Sequence, residues 1–254
     1  KVLGKKPHVT IYHHRLPPTL LEILWNRLRI LPIELFIGKC DIFHTSDWTQ
    51  PPTISAKTIA TIHDLTPFLY PQWHHPKVIK AHQNKMRHAV KKCCHLICVS
   101  QNTQSDLFKL FPQVDPAKTS VIYESAETKY SQFLKLPAAA QAKKKSVIKK
   151  QYGLNNFILA QGTREPRKNL NRLIDAFLKF KQKYPKTRVQ LAITGKYGWG
   201  QDVTTKDPSI KILGFIPEKD MVGLHASAIC LAYPSLYEGF GIPLLEAMQC
   251  HCPI

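Results

Sequence analysis

LAYPSLYEGFGIPLLEAM, residues 231–248, predicts a strand end, a glycine-bearing loop and a helix, in that order. The apolar run at residues 229–233 is typical of a buried strand, and Pro243 suits the first turn of a helix. Gly239 and Gly241 lack a Cβ, so backbone N–H groups can approach a ligand at the positive end of the helix dipole. The loop is therefore a candidate phosphate-binding site.

Two glutamates flank the glycines of this loop. Glu238 precedes them and Glu246 lies one turn into the predicted helix, so both side chains can point toward a ligand over the helix start. Ionised carboxylates only accept hydrogen bonds, so they suit the hydroxyl groups of a sugar or a ribose and repel a phosphate. The alternative is an ordinary strand–turn–helix that happens to carry a carboxylate at its helix start.

A second loop, GTREPRKN at residues 162–169, follows an apolar segment at residues 157–160 and places two cations before a helix predicted over residues 170–184. Adjacent cations are unfavourable at the positive end of a helix unless an anion lies among them. Arg167 offers a planar fork and Lys168 a point charge, and this combination suits a diphosphate. A solvated charge pair is the alternative.

Three segments of the chain resemble motifs of the retaining family-4 glycosyltransferases. EGFGIPLLE, from Glu238 to Glu246, resembles the E-x7-E signature of that family, and GTREPRKN resembles its phosphate-binding segment. TIHDLTPFLYP, at residues 61–71, resembles its histidine-bearing strand end. The resemblance covers residues 41–254 and implies an α/β protein of GT-B architecture, in which two Rossmann-like, doubly wound domains hold the active site in the cleft between them.

The resemblance also implies roles for single residues. Glu246 is expected to bind the ribose hydroxyls and Glu238 those of the donor sugar, while Arg167 and Lys168 neutralise the departing diphosphate. His63, at a predicted strand end, is expected to face the donor sugar from the N-terminal domain, although a single histidine on a strand is more often structural. The other donor-binding positions implied are Gly162, Gly195, Gly239, Phe240, Gly241 and Ile242.

Composition and apolar patterning divide the chain into two domains. Residues 1–134 are predicted to form an N-terminal domain, residues 135–150 an exposed linker or short basic helix, and residues 151–254 a C-terminal domain. The resemblance implies that the first is the acceptor-side domain and the second the nucleotide-sugar-binding domain. Compared with the family, the chain lacks a first strand with a glycine-rich loop and the last strands and helices. We therefore expect both domains to be truncated and the chain alone to be inactive.

The formal net charge is +19, of which residues 1–150 contribute +14. Such a field attracts nucleotides, nucleic acids and anionic membranes alike, and no compact basic–aromatic motif indicates a specific nucleic-acid module. A helix predicted over residues 76–92 is the candidate for peripheral contact with an anionic membrane, with a solvated face as the alternative. Its outward cations are expected to include Lys80, Lys85, Arg87, Lys91 and Lys92.

The cysteine pattern favours a reducing, cytoplasmic environment, because the seven cysteines show no paired CxxC spacing. Cys93, Cys94, His95 and Cys98 form a candidate metal group, but they enter an apolar strand, where buried thiols are common. The resemblance implies no metal and no cofactor, with the nucleotide sugar as co-substrate. Peripheral attachment to the inner face of the membrane is compatible with this expectation.

The predicted function is that of a retaining, metal-independent glycosyltransferase. It is expected to move a sugar, mannose or rhamnose by the likeness of its motifs, from an NDP-sugar to a glycan or lipid-linked acceptor. One alternative is another GT-B enzyme, such as a sugar-nucleotide epimerase or a phosphorylase, and acceptor-dependent release of nucleoside diphosphate separates these from a transferase. A non-enzymatic nucleic-acid binder is the other alternative.

Overall fold

The computed structural model describes residues 8–45, 49–200 and 202–254. The chain divides into two compact units, Lys1–Tyr123 and Glu124–Ile254. Each unit is built on a four-stranded sheet whose neighbouring strands all pair in parallel. Parallel strands require long connections, and here helices supply most of them.

The first unit arranges its strands in chain order across the sheet. The strands are β1 (Ile42–Thr45), β2 (Lys57–Ile62), β3 (His95–Cys98) and β4 (Thr119–Val121). The helices are α1 (Pro18–Leu21), α2 (Glu34–Ile37), α3 (Thr66–Leu69), α4 (Pro76–Lys92) and α5 (Gln101–Leu110), with a π-helical segment at Glu22–Leu28 and 3-10 turns at Pro71–Trp73 and Pro116–Lys118. The core of the unit lies between the sheet and the buried faces of α4 and α5.

Helix α4 confirms the helix predicted over residues 76–92, but one of its predicted outward residues is wrong. Lys85 is only 2% exposed, and it shares the inner face of the helix with Met86 and Ala89. Positions four residues apart lie on the same side of a helix, so buried Ala89 shares its side of α4 with Lys85, which is carried inward with it.

The second unit arranges its strands out of chain order, as β7-β6-β5-β8. The strands are β5 (Phe157–Gln161), β6 (Gln190–Thr194), β7 (Ile210–Gly214) and β8 (Cys230–Leu231). The helices are α6 (Thr128–Leu134), α7 (Ala138–Tyr152), α8 (Leu170–Lys183), α9 (Glu218–Ser227) and α10 (Ile242–Gln249), with a 3-10 turn at Pro166–Lys168. Strand β8 is shorter than the predicted residues 229–233, although hydrogen bonds to β5 continue at Ile229 and Ala232.

Two layers of helix cover the sheet of the second unit. Leu159 of β5 packs in a core with residues of α7, α9 and α10, whereas the next residue, Ala160, packs with residues of α8. Successive residues of a strand point to opposite faces, so β5 serves both cores. The sheet is therefore buried on both sides, as expected of a doubly wound α/β unit.

The segment predicted as a linker, residues 135–150, lies inside the second unit and forms most of α7. Ile148 of α7 is buried, and a Cβ on Gly223 of α9 would lie 2.5 Å from Ile148 Cγ1. The alanine- and lysine-rich sequence favours helix, and this close helix contact holds the segment against the sheet. The chain accordingly divides after Tyr123 rather than after residue 134.

Candidate functional site

The candidate site lies where the strand order of the second unit reverses. From β5 the chain moves outward to β6 and β7, and then returns to the other side of β5 as β8. The loops that leave the carboxyl ends of β5 and β8 therefore start side by side and diverge, which makes a crevice of the kind that binds ligands in open α/β sheets. These two loops are the segments singled out by sequence, residues 162–169 and 234–241.

Three predicted residues meet between the loops in a cluster of ion pairs. Lys168 Nζ donates to Glu238 Oε1 at 2.5 Å, and Arg167 Nη1 donates to Glu238 Oε2 at 2.5 Å. Arg167 Nε also lies 2.5 Å from Glu165 Oε1. A single carboxylate thus engages both cations, and a second carboxylate holds the other edge of the guanidinium.

Hydrogen bonds also join the backbones of the two loops. Leu236 N donates to Arg167 O at 2.8 Å, and Asn169 Nδ2 donates to Pro234 O at 3.2 Å. Lys168 Nζ, besides its ion pair, donates to Tyr233 Oη at 3.1 Å. These bonds fix the positions of both cations relative to the β8 loop.

Burial and charge act against each other on the pKa values of this cluster. Burial tends to raise the pKa of Glu238, but the charges of Lys168 and Arg167 outweigh it and lower the pKa below its usual value. Burial lowers the pKa of Lys168 even though Glu238 opposes this effect. For Glu165 burial prevails over the nearby cations and raises the pKa. Glu238 is therefore the carboxylate that the cations hold ionised most firmly.

An anion does lie among the adjacent cations, but it is the protein's own carboxylate, and the predicted diphosphate at this position stays a prediction. Lys168 is 7% exposed, and an unpaired ammonium would be costly at such a depth. The pairing with Glu238 and Glu165 satisfies both cations. An incoming phosphate therefore has to compete with a carboxylate already in contact.

At two of the predicted donor-binding positions, close packing explains why the residue is a glycine. Gly195, at the end of β6, has φ 125°, and a Cβ there would lie 1.8 Å from Gly162 O. Gly162 has φ 139°, and its own Cβ would lie 3.1 Å from Lys168 Cε. Gly195 thus allows the β6 loop to touch the β5 loop, and Gly162 allows the aliphatic part of Lys168 to lie against the backbone.

The predicted glycine loop leads directly into α10. Gly241, with φ 98°, caps the helix, and Leu244 N donates to Gly241 O at 3.0 Å. Pro243 has no N–H, so a ligand at this helix end can use the amides of Gly241 and Ile242. Gly239 is buried, Phe240 half-buried and Ile242 exposed.

Glu246 lies within α10 and is held by neighbours that the sequence did not indicate. Gln161 Nε2, at the end of β5, donates to Glu246 Oε2 at 2.8 Å, and Tyr130 and His225 also lie against this carboxylate. Gln161 could have been predicted as a site residue, because it is a polar residue at the end of an otherwise apolar strand. Glu165 was visible inside GTREPRKN, whereas nothing in the sequence pointed to Tyr233 or Tyr130.

In the first unit, His63 follows β2 directly and is exposed. Its neighbour Asp64 accepts hydrogen bonds from Thr66 N at 3.0 Å and Thr66 Oγ1 at 2.6 Å, so Asp64 orders the start of α3. His63 is therefore displayed at the carboxyl end of a parallel strand, where sequence reasoning expected it. Its contact with a donor sugar stays a prediction.

In the candidate metal group of the first unit, Cys93 and Cys98 are buried thiols, whereas Cys94 is exposed. Burial raises the pKa of both Cys93 and Cys98 to about 11. Across residues 8–45, 49–200 and 202–254, no three histidine, cysteine or acidic side chains come together in a metal-binding group. None of the helices in these ranges is both long and apolar enough to cross a bilayer.

Comparison with known proteins assigns the chain to a family. Residues 2–129 match the family model Glycosyltransferase Family 4, and residues 141–254 match the model Glycosyl transferases group 1. The chain therefore belongs to glycosyltransferase family 4, and the GT-B class predicted from its motifs is confirmed.

Curated relatives include two O-antigen mannosyltransferases. O-antigen chain mannosyltransferase B of Escherichia coli is 29% identical over 225 residues, which cover 84% of this chain and 56% of the relative. O-antigen chain mannosyltransferase RfbU of Salmonella typhimurium is 30% identical over 237 residues, which cover 91% of this chain and 59% of the relative. The chain thus spans a little over half the length of either relative.

Solved structures with the same fold include WaaG, a glycosyltransferase involved in lipopolysaccharide biosynthesis. It is 16% identical with a TM-score of 0.63, covering 87% of this chain and 60% of that protein. A glycosyltransferase from Rickettsia africae is 15% identical with a TM-score of 0.57, covering 96% of this chain and 64% of that protein. At such identities the likeness concerns the fold alone.

Proposed function

We propose that this protein is a retaining glycosyltransferase that moves a hexose, specifically mannose, from a nucleoside diphosphate sugar to a glycan or lipid-linked acceptor. The observation that carries the proposal is the convergence of Arg167, Lys168 and Glu238 at the switch point of the second unit. The names of the curated relatives, mannosyltransferases of O-antigen chains, support mannose as the sugar and a glycan as the acceptor.

In the proposed reaction the bond between the sugar C1 and the diphosphate oxygen breaks while a bond forms from C1 to the acceptor hydroxyl oxygen. The acceptor proton passes to the departing diphosphate, and the new bond forms on the same face of the sugar as the old one. Negative charge grows on the diphosphate during this step. Arg167 and Lys168 therefore stabilise the transition state more than the ground state, which is what accelerates a reaction.

Donor binding is proposed to exchange the partners of the two cations. Phosphate oxygens replace Glu238 on Arg167 Nη1 and Lys168 Nζ, and Glu238, released from both, accepts hydrogen bonds from the sugar hydroxyls. Glu165 keeps its contact with Arg167 Nε and so holds the guanidinium in place during the exchange. The exchange keeps both cations neutralised before and after the donor enters.

The rest of the donor is proposed to lie along α10. Glu246 accepts from the ribose hydroxyls, and the amides around Gly239–Ile242, chiefly those of Gly241 and Ile242, contact sugar and phosphate. No metal and no cofactor takes part in this proposal, because the two cations supply the positive charge that a diphosphate needs. We place the reaction in the cytoplasm, with peripheral contact to the inner face of the membrane.

Titration of the chain with GDP, UDP, ADP and dTDP, followed by thermal unfolding, tests the proposed nucleotide site. We expect one of them to raise the unfolding temperature in a saturable way, because a ligand that binds only the folded state stabilises it. Lys168→Ala should weaken that binding about tenfold or more, as expected for a lost charged contact in a buried site. Lys186→Ala, which removes an exposed lysine of the same unit, is the matched control.

Acceptor-dependent release of the nucleoside diphosphate then tests the transferase activity. In the full-length parent protein, we expect His63→Ala to lower turnover by about a hundredfold or more while nucleotide binding to the second unit persists, which is the scale of a lost transition-state contact. Release that does not depend on an acceptor would favour a different GT-B enzyme. Equal weakening of nucleotide binding by Lys168→Ala and Lys186→Ala would contradict the proposed site.

A further inference from the structure

The carboxylate of Glu246 is held from several sides. Gln161 Nε2 donates to its Oε2 at 2.8 Å, and His225 Nε2 lies 3.6 Å from the same oxygen, beyond hydrogen-bond length. The side chain of Glu246 is only 13% exposed, and His225 is fully buried. A glutamate that merely lined a surface would need no such enclosure.

Tyr130 completes the enclosure from α6. It is 1% exposed, it lies against the Glu246 carboxylate, and its ring meets the His225 ring edge-on, with centroids 5.7 Å apart and planes at 79°. The residue lies between the segments that match the two family models, 2–129 and 141–254. The contact therefore comes from the connecting segment and not from the glycine loop itself.

An ion-pair bridge anchors α6 close to this contact. Lys129 Nζ lies 2.9 Å from Glu127 Oε1 and 3.1 Å from Glu218 Oε1, at the start of α9. Phe133 is buried in the same small core as Tyr130, together with Val222 of α9. The backbone beside Tyr130 is thus fixed on α9, which also carries His225.

The neighbours of Glu246 also favour its ionised form. Burial raises the pKa of Glu246, but His225, Gln161 and Tyr130 outweigh burial and hold the pKa below its usual value. Burial and the adjacent Glu246 raise the pKa of Tyr130, so its hydroxyl keeps its proton and remains a donor. The group presented to a ligand is a carboxylate that Gln161, Tyr130 and His225 enclose.

We propose that Tyr130 is a positioning residue for Glu246. With Gln161 and His225 it holds the carboxylate in one orientation, ready to accept hydrogen bonds from the two ribose hydroxyls of a nucleoside diphosphate. The proposal rests on the proposed function, since it assumes that a nucleotide binds at α10. The benefit is entropic: a glutamate fixed beforehand loses less rotamer freedom when the ribose arrives.

The test compares Tyr130→Phe with Tyr152→Phe in the whole chain. Tyr152 is a matched control, because its hydroxyl also donates to a carboxylate, Asp220 Oδ2, at 2.7 Å, but it lies on α7 away from the loops. The readout is the ratio of two dissociation constants, that of the 2′,3′-dideoxy nucleotide divided by that of the normal one. The nucleotide is whichever of GDP, UDP and ADP binds most tightly.

In the unsubstituted chain this ratio should be about tenfold or more, the scale of hydrogen bonds to a charged group. Tyr130→Phe should lower the ratio severalfold by weakening only the normal nucleotide, and Glu246→Gln should bring it close to one. Tyr152→Phe should leave the ratio unchanged. A purely structural role for Tyr130 would weaken both nucleotides equally and leave the ratio as it is.

The outcomes separate the two proposals. If Glu246→Gln removes the preference for ribose hydroxyls and Tyr130→Phe retains it, the positioning role is overturned and the nucleotide site stands. If the unsubstituted chain binds none of GDP, UDP, ADP and dTDP, the proposed site falls and the role of Tyr130 falls with it; binding of dTDP alone would leave the site standing and overturn the role of Tyr130, because dTDP has no 2′-hydroxyl. A lowered ratio in Tyr152→Phe as well would also overturn the positioning role, because it would trace the effect to loosened packing.

Discussion

Glu238 satisfies two cations at once, and this sharing determines the behaviour of the site at the scale of single residues. Its two oxygens contact Lys168 and Arg167, one each, at 2.5 Å. Removing one member of a buried ion pair leaves the partner charge unsatisfied, which costs more than the pair itself contributes. The carboxylate therefore has a structural role as the partner of both cations, besides its proposed role of binding a sugar.

Glu238→Gln should accordingly destabilise the fold by about 3 kcal/mol at pH 7, since the variant leaves buried Lys168 without a carboxylate partner and Arg167 with Glu165 alone. Urea unfolding of the variant and the parent chain measures this difference. Because the pKa of Glu238 is lowered on folding, its contribution is fully present above the ordinary value of 4.5 and is lost as the pH falls through the lower folded value. The difference between the two proteins should therefore shrink in acid.

Inorganic phosphate provides the control for this prediction. An anion that enters between Arg167 and Lys168 replaces the missing charge in Glu238→Gln, so phosphate should stabilise the variant more than the parent chain. Glu246→Gln, which alters the neighbouring carboxylate but leaves both cations paired, should respond like the parent. Equal stabilisation of all three proteins would show that the two cations do not form an anion site.

At the scale of elements, the loops after β5, β6 and β8 form one packed assembly. The β6 loop touches the β5 loop through Gly195 and Gly162, and the β5 loop touches the β8 loop through Leu236 N and Arg167 O. Each contact joins the carboxyl ends of neighbouring strands, so the sheet itself holds the loops together. A disturbance in the β6 loop should therefore reach Lys168 through Gly162.

Gly195→Ala should destabilise the second unit by about 2–4 kcal/mol, because its Cβ would lie 1.8 Å from Gly162 O at a φ of 125°. Gly153→Ala is the matched control: φ is 62° there, and nothing lies within 4 Å of the added Cβ, so the cost should be only about 1 kcal/mol. Denaturant unfolding of both variants measures the costs. Similar losses in the two would refute the contact between the loops.

At the scale of the whole molecule, the positive charge is unevenly distributed. Residues 1–150 account for +14 of the net charge of +19. Part of it forms an exposed row on α4, whose Lys80, Arg87, Lys91 and Lys92 face outward while Lys85 is buried. A row of exposed cations on one helix face is suited to an anionic membrane surface, where each contributes about 1 kcal/mol.

We expect the chain to co-sediment with vesicles that contain anionic lipid and not with neutral vesicles. Replacement of Lys80, Arg87, Lys91 and Lys92 by Gln should weaken this binding about tenfold or more. The matched control replaces Lys143, Lys144, Lys149 and Lys150 of α7, which removes the same charge from another helix. Equal losses would mean that binding follows net charge and not α4, and equal binding to neutral vesicles would contradict the proposal.

Sequence by itself determined the local elements of this protein and the chemistry of its loops. Helix α4 has the predicted ends, Gly241 caps α10, and Pro243 lies in the first turn of α10. Periodicity, capping and glycine positions are properties of neighbouring residues, so a sequence carries them directly. The family motifs indicated which loops form the candidate site.

Only the tertiary structure decided how these parts meet. The order β7-β6-β5-β8 brings Lys168 to Glu238, 70 residues away, and the packing of Ile148 against Gly223 turns an apparent linker into a structural helix. Burial of Lys85 and the contact between Tyr130 and Glu246 arise in the same way. Strand order and side-chain pairing depend on packing between residues that are far apart in the chain. Local sequence patterns therefore do not show which distant residue pairs with a given charged side chain.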